Sequence, residues 1–126
     1  MTEAETPVWL QKLKRTIRGN RRDAHNRYFQ FATLGLDGKP RVRMVVFRGF
    51  SPSEASFFII TDARSEKVKE LARCPDVEVS WYFTQTREQF RLQCSAVTHS
   101  HGTDADFHRD ALWKGLSDSA KAQFFW

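Results

Sequence analysis

Two spacings of apolar residues divide the chain. Trp9, Leu10, Leu13 and Ile17 recur at the three-and-four interval of one helical face. Thr6 before them is a capping residue, Pro7 suits a first helical position, and Gly19-Asn20 suits an end, so a helix is predicted over about 6–19. From Tyr28 the interval drops to two. Phe29, Phe31 and Thr33 alternate with Gln30 and Ala32, as in a strand. Leu36-Asp37-Gly38-Lys39-Pro40 carries an Asp-Gly turn signal. Arg41 to Arg48 follows as a second strand, with Val42, Met44 and Val46 on one face and Arg43, Val45 and Phe47 on the other. Gly49 to Ser56 reads as a loop. Phe57 to Thr61 is a short strand, apolar on both faces and so predicted to be central. A helix over about 65–73 comes next, with Val68, Leu71 and Ala72 as its apolar positions and Pro75 as its stop. Val77, Val79, Trp81 and Phe83 mark a fourth strand; Phe90, Leu92, Cys94 and Ala96 mark a fifth, after a turn over Thr84 to Glu88.

The remainder reads as helical. Thr103 with Asp104 and Asp106 suits a helix start; Phe107, Ala111 and Leu112 give that helix an apolar face and Gly115 an end. Ser117 opens a last helix that runs into Phe124-Phe125-Trp126. Chain ends are normally polar, so this ending predicts that the sequence is a piece of a longer protein. The elements add up to a mainly β chain: a small antiparallel barrel of five to six strands over about 28–99, with helices at its periphery over about 6–19 and 103–126. The helix between the third and fourth strands is placed to cap one end of the barrel. Residues 1–126 are expected to form a single domain.

Composition narrows the classes. Of 126 residues, 40% are hydrophobic and 28% charged, which is globular rather than disordered. No apolar run approaches the ~18 residues of a membrane-spanning helix, and the acidic, polar Met1 to Thr6 is unlike a secretory signal. Cys74 and Cys94 form neither a disulfide framework nor a metal-ligand spacing, so a reducing cytoplasm is the expected setting. His99, His101 and His108 near Cys94 do not make a metal motif, and no metal is expected. The charge is less ordinary. Twenty Lys and Arg against fifteen Asp and Glu leave a formal +5, which points to an anionic partner. Lys12, Lys14, Arg15, Arg18, Arg21 and Arg22 crowd the first helix, which reads as a solvated basic face or as a nucleic-acid contact.

Three segments carry candidate chemistry. Ile60-Thr61-Asp62-Ala63-Arg64-Ser65-Glu66-Lys67 delivers hydroxyls, Arg64 and Lys67 to a helix start, where unpaired N–H groups favour anions. It suits a phosphate cradle, or simply a capped strand-to-helix connection. Arg43 sits mid-strand among apolar neighbours: if buried it needs an anion, a ligand phosphate or a carboxylate such as Asp62, and otherwise it lies on a solvated strand face. Trp81 to Arg91 mixes aromatics with Gln85, Gln89 and Arg87, which suits a flat heteroaromatic ligand or a barrel core with a polar outer face. The recurrent nucleophile, zinc-protease, P-loop and dinucleotide motifs are missing, so a bound cofactor is the natural source of any chemistry.

Together these segments resemble the pyridoxamine 5′-phosphate oxidase-like superfamily, the FMN-binding split β-barrels. Arg43-Met44-Val45-Val46-Phe47-Arg48 and Ile60 to Lys67 look most like the family's flavin-binding motifs, and Gln89 falls where the family places a flavin-contacting Gln. The resemblance spans about residues 5–126 and is nearest to a subgroup defined only by its FMN-binding domain. It implies a cytoplasmic flavoprotein oxidoreductase with FMN at a homodimer interface, no membrane association and an unidentified small-molecule substrate. Arg43 and Lys67 would hold the FMN phosphate with Thr61, Ser65, Arg64 and the helix start. The backbone of Met44, Val45, Val46 and Phe47, flanked by Arg48 and Ile60, would line the flavin ring. Gln89 would bond the ring's polar edge, in the partner subunit if the flavin spans the interface. Glu66 stands where many members carry a second basic residue, and Arg48 where the vitamin-B6 enzymes have a Lys. The other readings are a non-enzymatic nucleic-acid-binding module and a split-barrel protein that uses haem or a deazaflavin.

Overall fold

In the computed structural model, residues 6–52, 54–61 and 65–98 are described. Helix α1 spans Val8–Gly19, a single 3₁₀ turn spans Ala24–Arg27, and strands β1 (Tyr28–Leu34) and β2 (Pro40–Val46) follow. Helix α2 (Glu66–Arg73) precedes strands β3 (Asp76–Phe83) and β4 (Glu88–Ser95). The strands form one antiparallel sheet in the order β2-β1-β3-β4. The antiparallel, mainly β architecture with peripheral helices is as expected from the sequence. The helices predicted over 103–126 lie outside the described residues.

Alternation decides the faces of the sheet. Phe29, Phe31 and Thr33 of β1 and Val77, Val79, Trp81 and Phe83 of β3 are buried, with Val45 of β2 beside them. Phe90, Leu92 and Cys94 of β4 pack against this layer half-buried. Trp81 lies at its centre, with ring centroids of Phe29, Phe47 and Phe83 4.9, 5.2 and 5.0 Å away. Burying a large aromatic ring contributes ~2–3 kcal/mol from the removed apolar surface alone, so this layer is the main support of the sheet.

Helix α1 packs on the same face through Leu10 and Leu13, both under 2% exposed, and Thr16. Two details of the sequence reading change. Pro7, not Thr6, occupies the cap position, and no side chain caps the helix; Thr6 instead offers its carbonyl to Gln11 Nε2 at 2.8 Å. Trp9 is 40% exposed while Thr16 is buried, because the docked stripe runs through 10, 13, 16, 17 and 20. Thr16 belongs there because its hydroxyl reaches Glu88 Oε1 at 3.2 Å.

The segment Phe57 to Thr61 is not a central strand. It makes one isolated bridge, Phe50 to Phe57, and its residues are half-buried. Its backbone bonds run to the preceding loop instead: Arg48 N–H donates to the Phe58 carbonyl and Phe58 N–H to the Gly49 carbonyl. Gly49, at φ +126°, turns the chain back in a conformation open chiefly to glycine. The apolar side chains are used all the same, since the Phe57 ring meets Phe29 edge-on at 5.6 Å.

Two buried asparagines join α1 to the sheet. Asn20 ends α1. Its Nδ2 donates to the Thr16 carbonyl and Thr86 Oγ1, and its Oδ1 accepts from the N–H groups of Gln85 and Thr86. Asn26 accepts from Thr84 N–H through Oδ1 and from Trp81 Nε1 through its carbonyl, 2.8 Å away. These bonds hold the β3–β4 turn, Thr84 to Arg87, against the end of the helix, with Glu88 already in β4. Replacing Asn20 by Ala strands two turn N–H groups and should destabilise the fold by about 1–3 kcal/mol. A denaturant midpoint that does not move would show that the clip contributes nothing.

Candidate functional site

Helix α2 is short, eight residues, and Ser65 caps it by accepting from Lys67 N–H. Glu66 in its first turn is the charge that a helix start favours. Lys67 Nζ also reaches Ser65 Oγ, at 3.2 Å, so a cation, a hydroxyl and a helix start meet at one point. The sequence pattern assigned Val68, Leu71 and Ala72 to the packed face. The structure instead turns Glu70 inward at 1% exposure and leaves Ala72 exposed. The inward face is therefore 67, 70, 71 and 74, and its buried member is charged.

The reason lies across the interface. Glu70 Oε1 accepts from Thr33 Oγ1 at 2.6 Å and from Arg43 Nη2 at 2.7 Å. Arg43 Nη1 donates to Thr33 Oγ1 at 2.7 Å and to the Phe31 carbonyl at 3.3 Å. The Thr33 hydroxyl thus donates to the carboxylate while accepting from the guanidinium, which uses both of its capacities. Thr33 is the polar member of the inward set of β1, and Arg43 reaches it from its register partner two residues away: Phe31 faces Arg43 and Thr33 faces Arg41. The carboxylate that the Arg43 reading called for is thus Glu70; Asp62 lies outside the described residues.

The Thr33 hydroxyl, and then the Arg43 guanidinium, hold the Glu70 carboxyl below its usual value of 4.5, against the opposing effect of burial. Burial alone raises the Cys94 thiol. Arg43 keeps unused capacity. Nη1 and Nη2 of its outer edge are engaged by Thr33 and Glu70. Among the described residues nothing accepts from Nε, so the Nε–Nη2 edge is available to an anion. A phosphate suits the directed N–H groups of that edge, and the helix start with Lys67 supplies positive charge that Glu70 does not neutralise.

The other sequence-predicted residues fall in different places. Val45 is buried in the core, and Phe47 packs against Trp81, so these two side chains support the sheet. Met44, 59% exposed, and Val46 lie on the outer face. Because β2 is an edge of the sheet, the N–H and C=O groups of Met44 and Val46 that point away from β1 meet no further strand of that sheet among the described residues. Arg48, just past β2, Ile60 and Thr61 are half-buried, and Arg64 lies outside the described residues. Gln89 is exposed on β4, where its Nε2 reaches Ser80 Oγ at 3.4 Å. Three strand spacings, about 14 Å, separate β4 from β2. The structure brings Arg43 to α2 but does not bring Gln89 to Arg43.

Sequence reasoning missed Glu70 and Thr33. The available signal for Thr33 was its place in the apolar stripe of Phe29 and Phe31; Glu70, off the Val68–Leu71–Ala72 stripe, carried none. The basic residues Lys12, Arg15, Arg18, Arg21 and Arg22 of and after α1 are exposed, while Lys14 sits 5.1 Å from the centre of the Phe50 ring. None of the described helices is long and apolar enough to cross a membrane.

Residues 6–100 match the family profile described as pyridoxamine 5′-phosphate oxidase, FMN-binding domain. Pyridoxine/pyridoxamine 5′-phosphate oxidase 2 of Arabidopsis thaliana is 48% identical over 84 residues, 67% of this chain and 42% of that protein. The chain thus spans less than half of the length of that relative. Among solved structures, a pyridoxamine 5′-phosphate oxidase-related FMN-binding protein of Nostoc punctiforme superposes with a TM-score of 0.88 at 35% identity, over 97% of this chain and 65% of its own. PhzG of Burkholderia lata, solved with tetrahydrophenazine-1-carboxylic acid, shares the fold at a TM-score of 0.74 and 22% identity, over 94% of this chain and 55% of its own.

Linkage gives the pH dependence of the buried pair. A carboxyl whose folded value is depressed stabilises the fold above its unfolded value, and that stability is lost as pH falls through the folded value. The wild-type protein should therefore lose stability below pH 4.5, and Glu70→Gln should flatten this acid limb. Denaturant midpoints between about pH 6 and about pH 3 check it; parallel limbs in the two proteins would contradict the assignment. The comparison isolates Glu70 because the depressed Asp23 and Asp37 carboxyls are common to both proteins.

Proposed function

Since the chain belongs to the pyridoxamine 5′-phosphate oxidase FMN-binding-domain family, we propose that it is part of an FMN-dependent oxidoreductase acting as a homodimer on a small-molecule substrate. The observation that carries this reading is Arg43. Its guanidinium is fixed to Glu70 and Thr33 with one edge left for a phosphate, next to the helix that bears Ser65 and Lys67. In this reading Arg43, Lys67 and Ser65 hold the FMN phosphate, with Thr61 and Arg64 near it. The open backbone edge of Met44 and Val46, with Val45, Phe47, Arg48 and Ile60 beside it, borders the flavin ring. Bound FMN would supply hydride transfer; the protein supplies binding, orientation and shelter from water.

With Gln89 as a flavin contact, its separation from Arg43 supports a homodimer. The two lie toward opposite edges of the sheet, so a flavin held by Arg43 would meet Gln89 of a second copy. The outer face of the sheet has the character of such an interface. Met44, Gln30, Ser80 and Arg91 form one row across it, with exposed Val42, Tyr28 and Tyr82 nearby. Exposed apolar side chains grouped on one face mark association surfaces. The cytoplasm suits its two unpaired cysteines, Cys74 and Cys94.

Purified full-length protein is expected to be yellow, or to quench flavin fluorescence with a micromolar Kd, about −8 kcal/mol. Arg43→Ala with Lys67→Ala should weaken FMN binding at least a hundredfold, on the basis of ~1.5–3 kcal/mol per charge-assisted hydrogen bond. Full affinity in that double variant would remove both residues from the site. Sedimentation equilibrium should give twice the chain mass, and a monomer that still binds FMN would refute the shared site.

A further inference from the structure

Resting on the FMN reading above, we infer that Glu70 is a positioning residue for the cofactor phosphate, holding the Arg43 guanidinium in its binding orientation both directly and through Thr33. Three observations lead there. Glu70 is 1% exposed on a helix otherwise rich in exposed charges, so its burial has a specific purpose in the packing. Its single contacting oxygen is shared by two donors, Thr33 Oγ1 and Arg43 Nη2, and Arg43 Nη1 closes the triangle onto Thr33. A planar guanidinium gripped along one edge by two mutually bonded oxygens cannot spin about its terminal bond. The free Nε–Nη2 edge then has a set direction before any ligand arrives.

An unrestrained arginine must be ordered when it binds, and that ordering reduces affinity; pre-ordering by neighbours removes the loss. The same helix carries Ser65 and Lys67 at its start, three and more residues before Glu70. One docked helix therefore carries one cation, Lys67, and holds a second, Arg43, by a direct bond from Glu70. Glu70 also places a negative charge near a site for an anion, which opposes binding. The two effects predict opposite signs for its removal. Glu70 and Arg43, 2.7 Å apart, largely cancel each other's field, so Arg43 binds through its directed N–H groups rather than through net charge, and the orienting effect dominates.

The test compares FMN with riboflavin, which lacks the phosphate, by fluorescence titration of the full-length protein and its variants. Glu70→Leu should weaken FMN roughly tenfold, the size typical when an orienting partner is lost, and leave riboflavin affinity unchanged. Glu70→Gln keeps an oxygen for the guanidinium and should restore the FMN preference to within about threefold. Thr33→Val removes only the bridging hydroxyl and should lower the FMN-to-riboflavin ratio in the same sense. If Glu70→Leu does not fold, Thr33→Val and Glu70→Gln decide by the same ratio. An unchanged ratio, tighter FMN binding, or an equal loss for both ligands would overturn the positioning role. A wild-type protein that does not prefer FMN to riboflavin would instead overturn the phosphate-anchor reading on which this role rests.

Discussion

A carboxylate shut away from water needs a cation and hydrogen bonds, and few arrangements of the chain can supply them. Glu70 finds both only if α2 lies against β1 and β2 at one height and one rotation. Sliding the helix by a residue would turn Glu70 by about 100° and strand both charges. The pair contributes little net attraction beyond its desolvation cost, and breaking it by removing one partner is expensive. Its structural effect is therefore specificity of docking. The guanidinium of Arg73 bonding to the Leu36 carbonyl fastens the other end of the helix to the β1–β2 turn. The phosphate-binding potential of Ser65 and Lys67 depends on that docking, because the start of α2 is wherever Glu70 allows it to be.

The aromatic layer sets how much the rest of the chain can vary. Trp81, Phe29 and Phe83 are almost wholly buried and pack ring to ring, and Phe47, Phe50 and Phe57 extend the layer beyond the end of β2. That extension explains how the 57–61 segment is held without a place in the sheet. Side chains give it hydrophobic contact while its backbone bonds to its own loop. On the opposite side the same tryptophan needs one polar partner for its indole N–H, which the Asn26 carbonyl supplies. The 3₁₀ turn and the asparagine clip follow from that need.

The strands were legible because their alternation is strict. The period of two at Phe29–Thr33, Val77–Phe83 and Phe90–Cys94 survives intact, with the predicted residues facing inward. The run Phe57–Ile60 was misread because unbroken apolarity signals burial, and burial by rings alone satisfies it without a ladder. On α2, Leu71 packs and Val68 is half-buried as hydrophobicity predicts, but hydrophobicity does not mark Glu70 as buried or Ala72 as exposed. The packed side of the helix holds a glutamate whose partner, Arg43, is 27 residues away in sequence. Of the candidate site, the residue types at Arg43, Ser65 and Lys67 were visible together with the family resemblance. The bond network was not, because pairing of Arg43 with Glu70 rather than Asp62 depends on helix rotation, which one sequence leaves open.

The positions of Arg43 and Gln89 lead to a statement about architecture. A small antiparallel sheet can cover one face with its own helix and aromatic layer, and this chain does so. The outer row Met44-Gln30-Ser80-Arg91 has no such cover among the described residues, although it mixes apolar and hydrogen-bonding groups as an association surface does. Beside it, β2 leaves backbone groups of Met44 and Val46 without a further strand of the sheet among the described residues, an edge that solitary proteins usually protect. In the proposed shared site, a flat, polar-rimmed ring bordering that edge and a second copy of the sheet would answer the same deficit. In a shared site of this kind, ligand binding and association are thermodynamically linked, each strengthening the other by an equal free energy. The edge strand that is a liability in an isolated chain would, in that proposed site, become the element that joins cofactor to partner.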